Sequence, residues 1–343
     1  LNYINIIQYS MSEGLIAIDL ENKISTINKA ASSYLDIDRK KDIGKQYDKK
    51  IKNKAIKKII KSILKKQRPI TKEIRIGQMK KMFFTVNGKV LKDQKLKPVG
   101  CLIVMTDVTR LKQLEAMRRV FVANVSHELK TPITSIGGYI ETAQKDISLK
   151  TKNEFLEKAI NQNNRLNSII DDLLRLSRIE AIEDENAFTL STQKLLPIIE
   201  GSVEDIRENI KKYGIKVVIE CSKDIYAKID SQLMREALIN LLENAIKYGV
   251  DNSTVILSVK RKSNKILIDI ENKGEVIPEK ERDRIFNRFY RVDKSRSKKT
   301  GGTGLGLAIV KHISIVHNGT IEVHKSDGDT TVFRLTLPVK KLG

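Results

Sequence analysis

Apolar residues at 111, 114, 117, 121, 125 and 129 recur at steps of three and four, and this pattern constrains the chain more than any other. It marks one face of an amphipathic helix. A second run, at 155, 159, 160, 166, 169, 170, 173, 174 and 176, predicts a partner helix, with Asp146–Thr151 as the turn between them. Two helices cannot enclose a core. Two such hairpins from two chains can, as a four-helix bundle, so a homodimer is expected.

The first helix carries Ser126-His127-Glu128-Leu129-Lys130-Thr131-Pro132, and His127 is the first of the four histidines in the chain. At about 100° per residue, position 127 lies roughly 200° from both Val125 and Leu129. His127 should therefore face solvent with Glu128 beside it. An isolated surface histidine is usually inert, but the neighbours here argue for use. Pro132 removes a backbone donor and presses on the carbonyl of Glu128, so a bend is expected within a turn of the histidine.

A chain of 343 residues should hold two or three domains. Its net charge of +22 invites a nucleic-acid reading, but the distribution opposes it. Residues 1–110 hold 25 Lys/Arg against 10 Asp/Glu, mostly dispersed lysine. No helix-turn-helix spacing, zinc-ligand cluster or aromatic stacking run accompanies them. Abundant Ile and Asn point to AT-rich codons as the source of the lysines, with attraction to an anionic membrane leaflet as the alternative. Cys101 and Cys221 form no motif, which fits a reducing compartment. No apolar run approaches the roughly 18 residues of a membrane span. The chain opens at Leu1 within a helical pattern, as expected of a segment cut from a longer protein whose membrane part is missing.

Residues 1–109 read as a mixed α/β module with strands at Gly14–Asp19, Ile24–Asn28, Glu73–Ile76, Lys81–Val86 and Pro98–Asp107, suggesting a small sensory pocket. It contains no histidine, and Cys101 lacks a flavin-adduct sequence, which disfavours haem held by histidine and cysteinyl-flavin. Residues 110–184 form the hairpin. Residues 190–343 alternate helices near 194–213, 231–248 and 304–317 with strands near 215–220, 225–229, 254–260, 265–271, 320–324 and 331–337, an α/β layered domain.

Within that last domain several segments suit a nucleotide. Gly302-Thr303-Gly304-Leu305-Gly306-Leu307 precedes an apolar helix, where backbone N–H groups can approach a phosphate. Asn240, Asn244 and Lys247 fall at i, i+4 and i+7, near one helical face, and two amide oxygens with an ammonium suit hydrated Mg2+ and polyphosphate. Asn272-Lys273-Gly274-Glu275-Val276-Ile277 and Arg284-Ile285-Phe286-Asn287-Arg288-Phe289-Tyr290-Arg291 lie between these segments. Lys294–Gly301 reads as a flexible lid or an ordinary solvated loop, and Gly328-Asp329-Thr330-Thr331 as a turn into the final strand.

These residues together resemble the cytoplasmic part of a bacterial sensor histidine kinase, and most of all the phosphate-starvation and cell-wall sensor subgroup. The matched stretches are Phe121–Pro132 (H box), Asn240–Tyr248 (N box), Asn272–Ile277 (G1), Arg284–Arg291 (F box) and Gly302–Leu307 (G2), and Leu173–Glu180 resembles the end of the second hairpin helix. The resemblance implies a multidomain α+β chain. Its parts would be a PAS-like α/β sensor, an antiparallel helical hairpin forming a dimeric four-helix bundle, and an α/β-sandwich ATP-binding domain of the gyrase/chaperone/kinase type. It implies that His127 accepts the γ-phosphoryl group of ATP, that Glu128 is the general base, and that Thr131 positions water in dephosphorylation of the partner. Nucleotide would contact Asn240, Asn244, Lys247, Tyr248, Asn272, Gly274, Arg291, Gly302, Gly304, Leu305, Gly306 and Thr330, with Mg2+ on Asn240 and Asn244. The implied partner is a response regulator receiver domain, and the implied location is the cytoplasmic side of an inner-membrane protein.

Asn272 and Val276 depart from that family's pattern, which places an Asp and a Gly there. A neutral amide is the weaker acceptor for an adenine amino group. Two rivals follow. A gyrase- or chaperone-type ATPase would place a glutamate four residues before Asn244, where this chain has Asn240, which is no base. A non-catalytic scaffold or phosphatase-only protein would follow from a weakened G1 segment.

Overall fold

Four isoleucines at i, i+3, i+4 and i+7 of one short helix, Ile56, Ile59, Ile60 and Ile63, are all buried, and the N-terminal unit is built on them. The computed structural model describes residues 10–77, 82–185, 189–292 and 302–339, so the Lys294–Gly301 segment lies outside the described residues. The chain forms two compact units, Leu1–Val122 and Ala123–Gly343.

The first unit is one antiparallel sheet of β1 (Gly14–Asp19), β2 (Ile24–Ile27), β3 (Ile70–Ile76), β4 (Met82–Lys92) and β5 (Pro98–Asp107), in the order β2-β1-β5-β4-β3. The helices α1 (Lys29–Leu35), α2 (Arg39–Asp42), α3 (Tyr47–Lys50) and α4 (Lys54–Lys66) connect β2 to β3. The apolar stripe of α4 joins Phe84, Val86, Ile103 and Met105 in one core, while its lysines take the opposite face. Asn28 is fully buried and fully used. Its Oδ1 accepts from Leu15 and Ala31 N–H at 2.9 Å each, and its Nδ2 donates to the Glu13 carbonyl at 2.8 Å, so one side chain joins the β1 entry to the α1 cap.

The long helix α5 (Thr109–Ala143) starts on Asp107, whose carboxylate accepts from Thr109 N–H at 2.8 Å. It runs unbroken through Pro132, which ends no helix here. In the second unit it pairs with α6 (Leu149–Glu185), and the hydroxyl of Ser148 accepts from Thr151 N–H at the start of α6. His127 is exposed, as its angular position requires, but the apolar stripe is only half covered in one chain. Val125 and Leu129 are half-buried, and Ile133, Ile160 and Leu174 remain exposed.

The rest of this unit is a five-stranded sheet in the order β11-β12-β10-β9-β7, made of β7 (Lys216–Cys221), β9 (Thr254–Lys262), β10 (Lys265–Lys273), β11 (Thr320–Asp327) and β12 (Thr330–Pro338). Only β7 and β9 are parallel. A separate pair joins β6 (Ser191–Lys194) to β8 (Tyr226–Ile229), and β6 is a strand that the sequence pattern does not announce. Helices α7 (Leu195–Asp205), α9 (Ser231–Lys247) and α10 (Gly306–Val316) form the layer over the sheet, with the short α8 (Arg207–Lys212) after α7. Leu238, Leu241, Leu242 and Ala245 of α9 and Ala308, Ile309, Val310 and Ile313 of α10 are buried between them.

One buried histidine locks the two helices that flank the future site. His317, at the end of α10, accepts the Asp230 N–H through Nε2 at 3.1 Å, and its Nδ1–H faces the Ile313 carbonyl at 2.7 Å. Asp230 caps α9 by accepting from Gln232 and Leu233 N–H. This arrangement needs the neutral ring, and burial holds the imidazole below its ordinary 6.5. A depressed histidine contributes stability above the unfolded value that is lost as pH falls towards the folded one. Thermal midpoints should therefore drop on acidification from 6.5 to about 5, and His317→Gln should start lower but drop less. Equal drops in the two proteins would disprove the role of the ring.

Candidate nucleotide site

The helix α9 presents two faces, an apolar one against the sheet and α10, and a polar one carrying Glu236, Asn240, Glu243, Asn244 and Lys247. The polar face lines a cleft of about 1740 Å³. Tyr248, Asn272, Gly274, Arg291, Gly302, Gly304 and Gly306 line it too, so most of the residues expected at a nucleotide converge on one space.

Backbone approach explains two of the glycines. A Cβ on Gly274 would lie 2.2 Å from the Tyr248 carbonyl oxygen, where a bridge between Gly249 and Gly274 draws the end of β10 against the end of α9. Gly304 has φ +76°, and its carbonyl accepts from Phe289 N–H at 2.9 Å, so the glycine segment is clasped to the segment carrying Arg291. Leu305 is wholly buried and begins α10 rather than lining the cleft. Thr330 does not line the cleft either. Successive strand residues point to opposite faces, and the neighbour Thr331 is the one turned inward, where it bonds the Ser326 hydroxyl and the Glu275 carbonyl. Asn272 is buried beside Gly274, with its amide nitrogen near the position a Gly274 Cβ would take.

One end of the cleft, at Lys247 and Arg291, suits polyphosphate on its own electrostatics. The Lys247 ammonium lies against Gly302, where an added Cβ would be 2.3 Å away. Burial, and then the adjacent Arg291, bring it down to about 8. Burial also lowers Arg291 from its ordinary value. Two desolvated cations side by side are costly until an anion arrives. Asn240 Nδ2 donates to the Glu236 carbonyl at 2.9 Å, so its other amide atom, Oδ1, is the one available as an acceptor near Gly306. Among the described residues no cluster of His, Cys, Asp and Glu could hold a metal ion. Amide oxygens with substrate phosphate fit a hydrated Mg2+ better than an all-carboxylate cage would.

The helix α6 closes one side of this cleft with Ser168, Asp172, Arg175 and Arg178, and sequence reasoning did not single out these residues. Thr303 donates to Asp172 Oδ2 at 2.6 Å while its hydroxyl accepts from Leu305 N–H at 3.2 Å. Burial raises the Asp172 carboxyl. Further along, Glu180 pairs with Arg288 and lies 3.4 Å from His312 Nε2. Ser168 and Asp172 do not stand out in sequence, because each is one polar residue on a helix rich in them.

His127, Glu128 and Thr131 lie outside the cleft. His127 and Thr131 border a small surface depression with Lys130, Thr134 and Ser135. The Thr131 hydroxyl donates to the His127 carbonyl at 3.0 Å. Glu128 lies 3.6 Å from Arg165 of α6 and within electrostatic range of Arg291 of the cleft, which connects the two groups of residues.

Residues 117–182 match the His Kinase A (phospho-acceptor) domain family, and residues 229–341 match the histidine kinase-, DNA gyrase B- and HSP90-like ATPase family. Sensor protein kinase WalK of Staphylococcus aureus is 33% identical over 348 residues, covering 96% of this chain and 79% of that protein. Sensor histidine kinase WalK of Bacillus subtilis (strain 168) is 30% identical over 351 residues, covering 96% of this chain and 54% of that protein. The chain thus spans about half the length of several curated relatives it matches. The crystal structure of histidine kinase ThkA in complex with response regulator protein TrrA shares the fold, with a TM-score of 0.52, 22% identity and 98% of each chain covered. A hairpin that exposes His127, joined to an ATPase-type layer with these relatives, shows that the chain belongs to the bacterial sensor histidine kinase family.

Proposed function

We propose that the chain transfers the γ-phosphoryl group of Mg-ATP to His127 and passes it on to an aspartate of a response regulator. The observation that carries this reading is the electrostatic link from the cleft to the hairpin, with Arg291 of the nucleotide cleft within range of the carboxylate next to an exposed histidine. An imidazole nitrogen attacks the γ-phosphorus. The N–P bond forms as the bond to the β–γ bridging oxygen breaks, ADP leaves with the electron pair, and Glu128 takes the ring proton. Lys247 and Arg291 hold phosphate, Asn240 and Asn244 face the metal side, and Asn272 accepts from the adenine amino group. Bound Mg2+ would neutralise charge on the β- and γ-oxygens.

Three segments serve this proposal: 1–109 as a PAS-like sensor, 110–184 as the dimerising hairpin, and 190–343 as the catalytic layer. The β2-β1-β5-β4-β3 sheet with its helices inserted after β2 supports the first. The half-covered apolar stripe supports a homodimer, and the ThkA–TrrA complex supports a receiver-domain partner. Thr131 would turn its hydroxyl from the His127 carbonyl to a water that hydrolyses the partner's aspartyl phosphate to inorganic phosphate. Attachment to a membrane through residues outside this chain belongs to the same proposal. No helix among the described residues is long and apolar enough to cross one.

Incubation with γ-labelled ATP and Mg2+ should give acid-labile, alkali-stable label that His127→Ala abolishes. Nucleotide binding without label would instead support a scaffold, and multiple turnover of phosphate without label an ATPase. Lys247 supplies a second test. Phosphate stabilises its ammonium, so the complex holds a proton that the free site releases above about 8. ADP affinity measured by calorimetry should be flat below that pH and fall as pH rises through it, with proton uptake on binding. Lys247→Met should bind about tenfold or more weakly and lose the pH dependence.

A further inference from the structure

We propose that Arg165 is a positioning residue for phosphoryl transfer, holding the Glu128 carboxylate in place beside His127 when nucleotide engages Arg291. The inference rests on the kinase reading above. Arg165 stands in the middle of α6 and its side chain is only 16% exposed, although a hairpin helix offers it ample solvent. Its Nη2 lies 3.6 Å from Glu128 Oε2, across the hairpin from the histidine turn. Its Nε is buried without a hydrogen-bond partner among the described residues.

Arg165 is also an electrostatic neighbour of both Lys247 and Arg291. These three cations share two nearby carboxylates, Glu128 beside Arg291 and Glu243 beside Lys247, and each cation raises the cost of burying the others. A merely structural clamp between two helices would be served better by an apolar pair. The arrangement makes sense for transfer. Glu128 has three side-chain torsions and a choice of two cationic partners, Arg165 and Arg291. When Arg291 turns to the γ-phosphate, Arg165 alone keeps the carboxylate in one arrangement next to the ring that must lose a proton. Sequence alone hides this, because Arg165 follows directly on the polar run Asn161-Gln162-Asn163-Asn164 and matches no catalytic spacing.

The test measures initial rates of His127 labelling over a range of ATP concentrations, alongside ADP binding, for the full chain. Arg165→Met should lower kcat about 10- to 100-fold, as misplacement of a reacting group does, while KM and ADP affinity stay within about twofold. Arg165→Lys should recover part of the rate. In a Glu128→Gln background, Arg165→Met should add less than about a further twofold, since the two act as a unit. Arg165→Gln, which keeps a polar side chain, repeats the comparison if the methionine variant loses helix content. The inference is overturned by an unchanged kcat, by a raised KM with kcat intact, or by the same loss with and without Glu128. Absence of label in the unmodified protein would overturn the kinase reading itself, an outcome none of the variants can mimic.

Discussion

The packing of α9 against α10 is the contact on which the nucleotide site depends. The first buries leucine, alanine and isoleucine and the second alanine, isoleucine and valine, so their polar residues are forced outward at the same edge. Asn240, Asn244 and Lys247 come from one helix, and the glycine segment leads into the other. The bond from Asp230 to His317 then fixes where α9 starts relative to where α10 ends. A cleft between two helices keeps its shape only if the helices cannot slide, and here a buried neutral imidazole provides that stop.

Charge is arranged in the cleft so that it favours a bound polyanion. Lys247 and Arg291 are partly desolvated neighbours, and neither has enough local carboxylate to offset the other fully. An incoming polyphosphate relieves this without moving the scaffold, which is what preorganisation means in electrostatic terms. Asn272 fits the same logic from the base end. A neutral amide buried at 4% exposure avoids the desolvation cost of a buried carboxylate, while giving up part of the strength of a carboxylate acceptor.

Much of this was legible in the chain because the relevant signals are local. The runs at Gly14–Asp19 and Pro98–Asp107 are strands end to end, since both read as β-rich segments with turn residues at their edges. His127 is exposed because helical geometry alone places it off the stripe. What the sequence hid is whatever needs a second element to define it. The strand Ser191–Lys194 carries no apolar alternation and exists only because β8 pairs with it. The choice between Thr330 and Thr331 depends on strand register, which a single residue's slip would reverse. Asp172 and Arg165 acquire meaning only from the layer and the helix that α6 packs against.

The hydrogen bond from Thr303 to Asp172 ties the glycine segment to the long helix of the hairpin. Free-energy coupling of this kind runs both ways. A displacement of that helix which broke the bond would release the glycine segment, and by the same factor anything that held the glycine segment in place would favour the helix position that keeps the bond, so one short contact makes cleft and hairpin answer to each other.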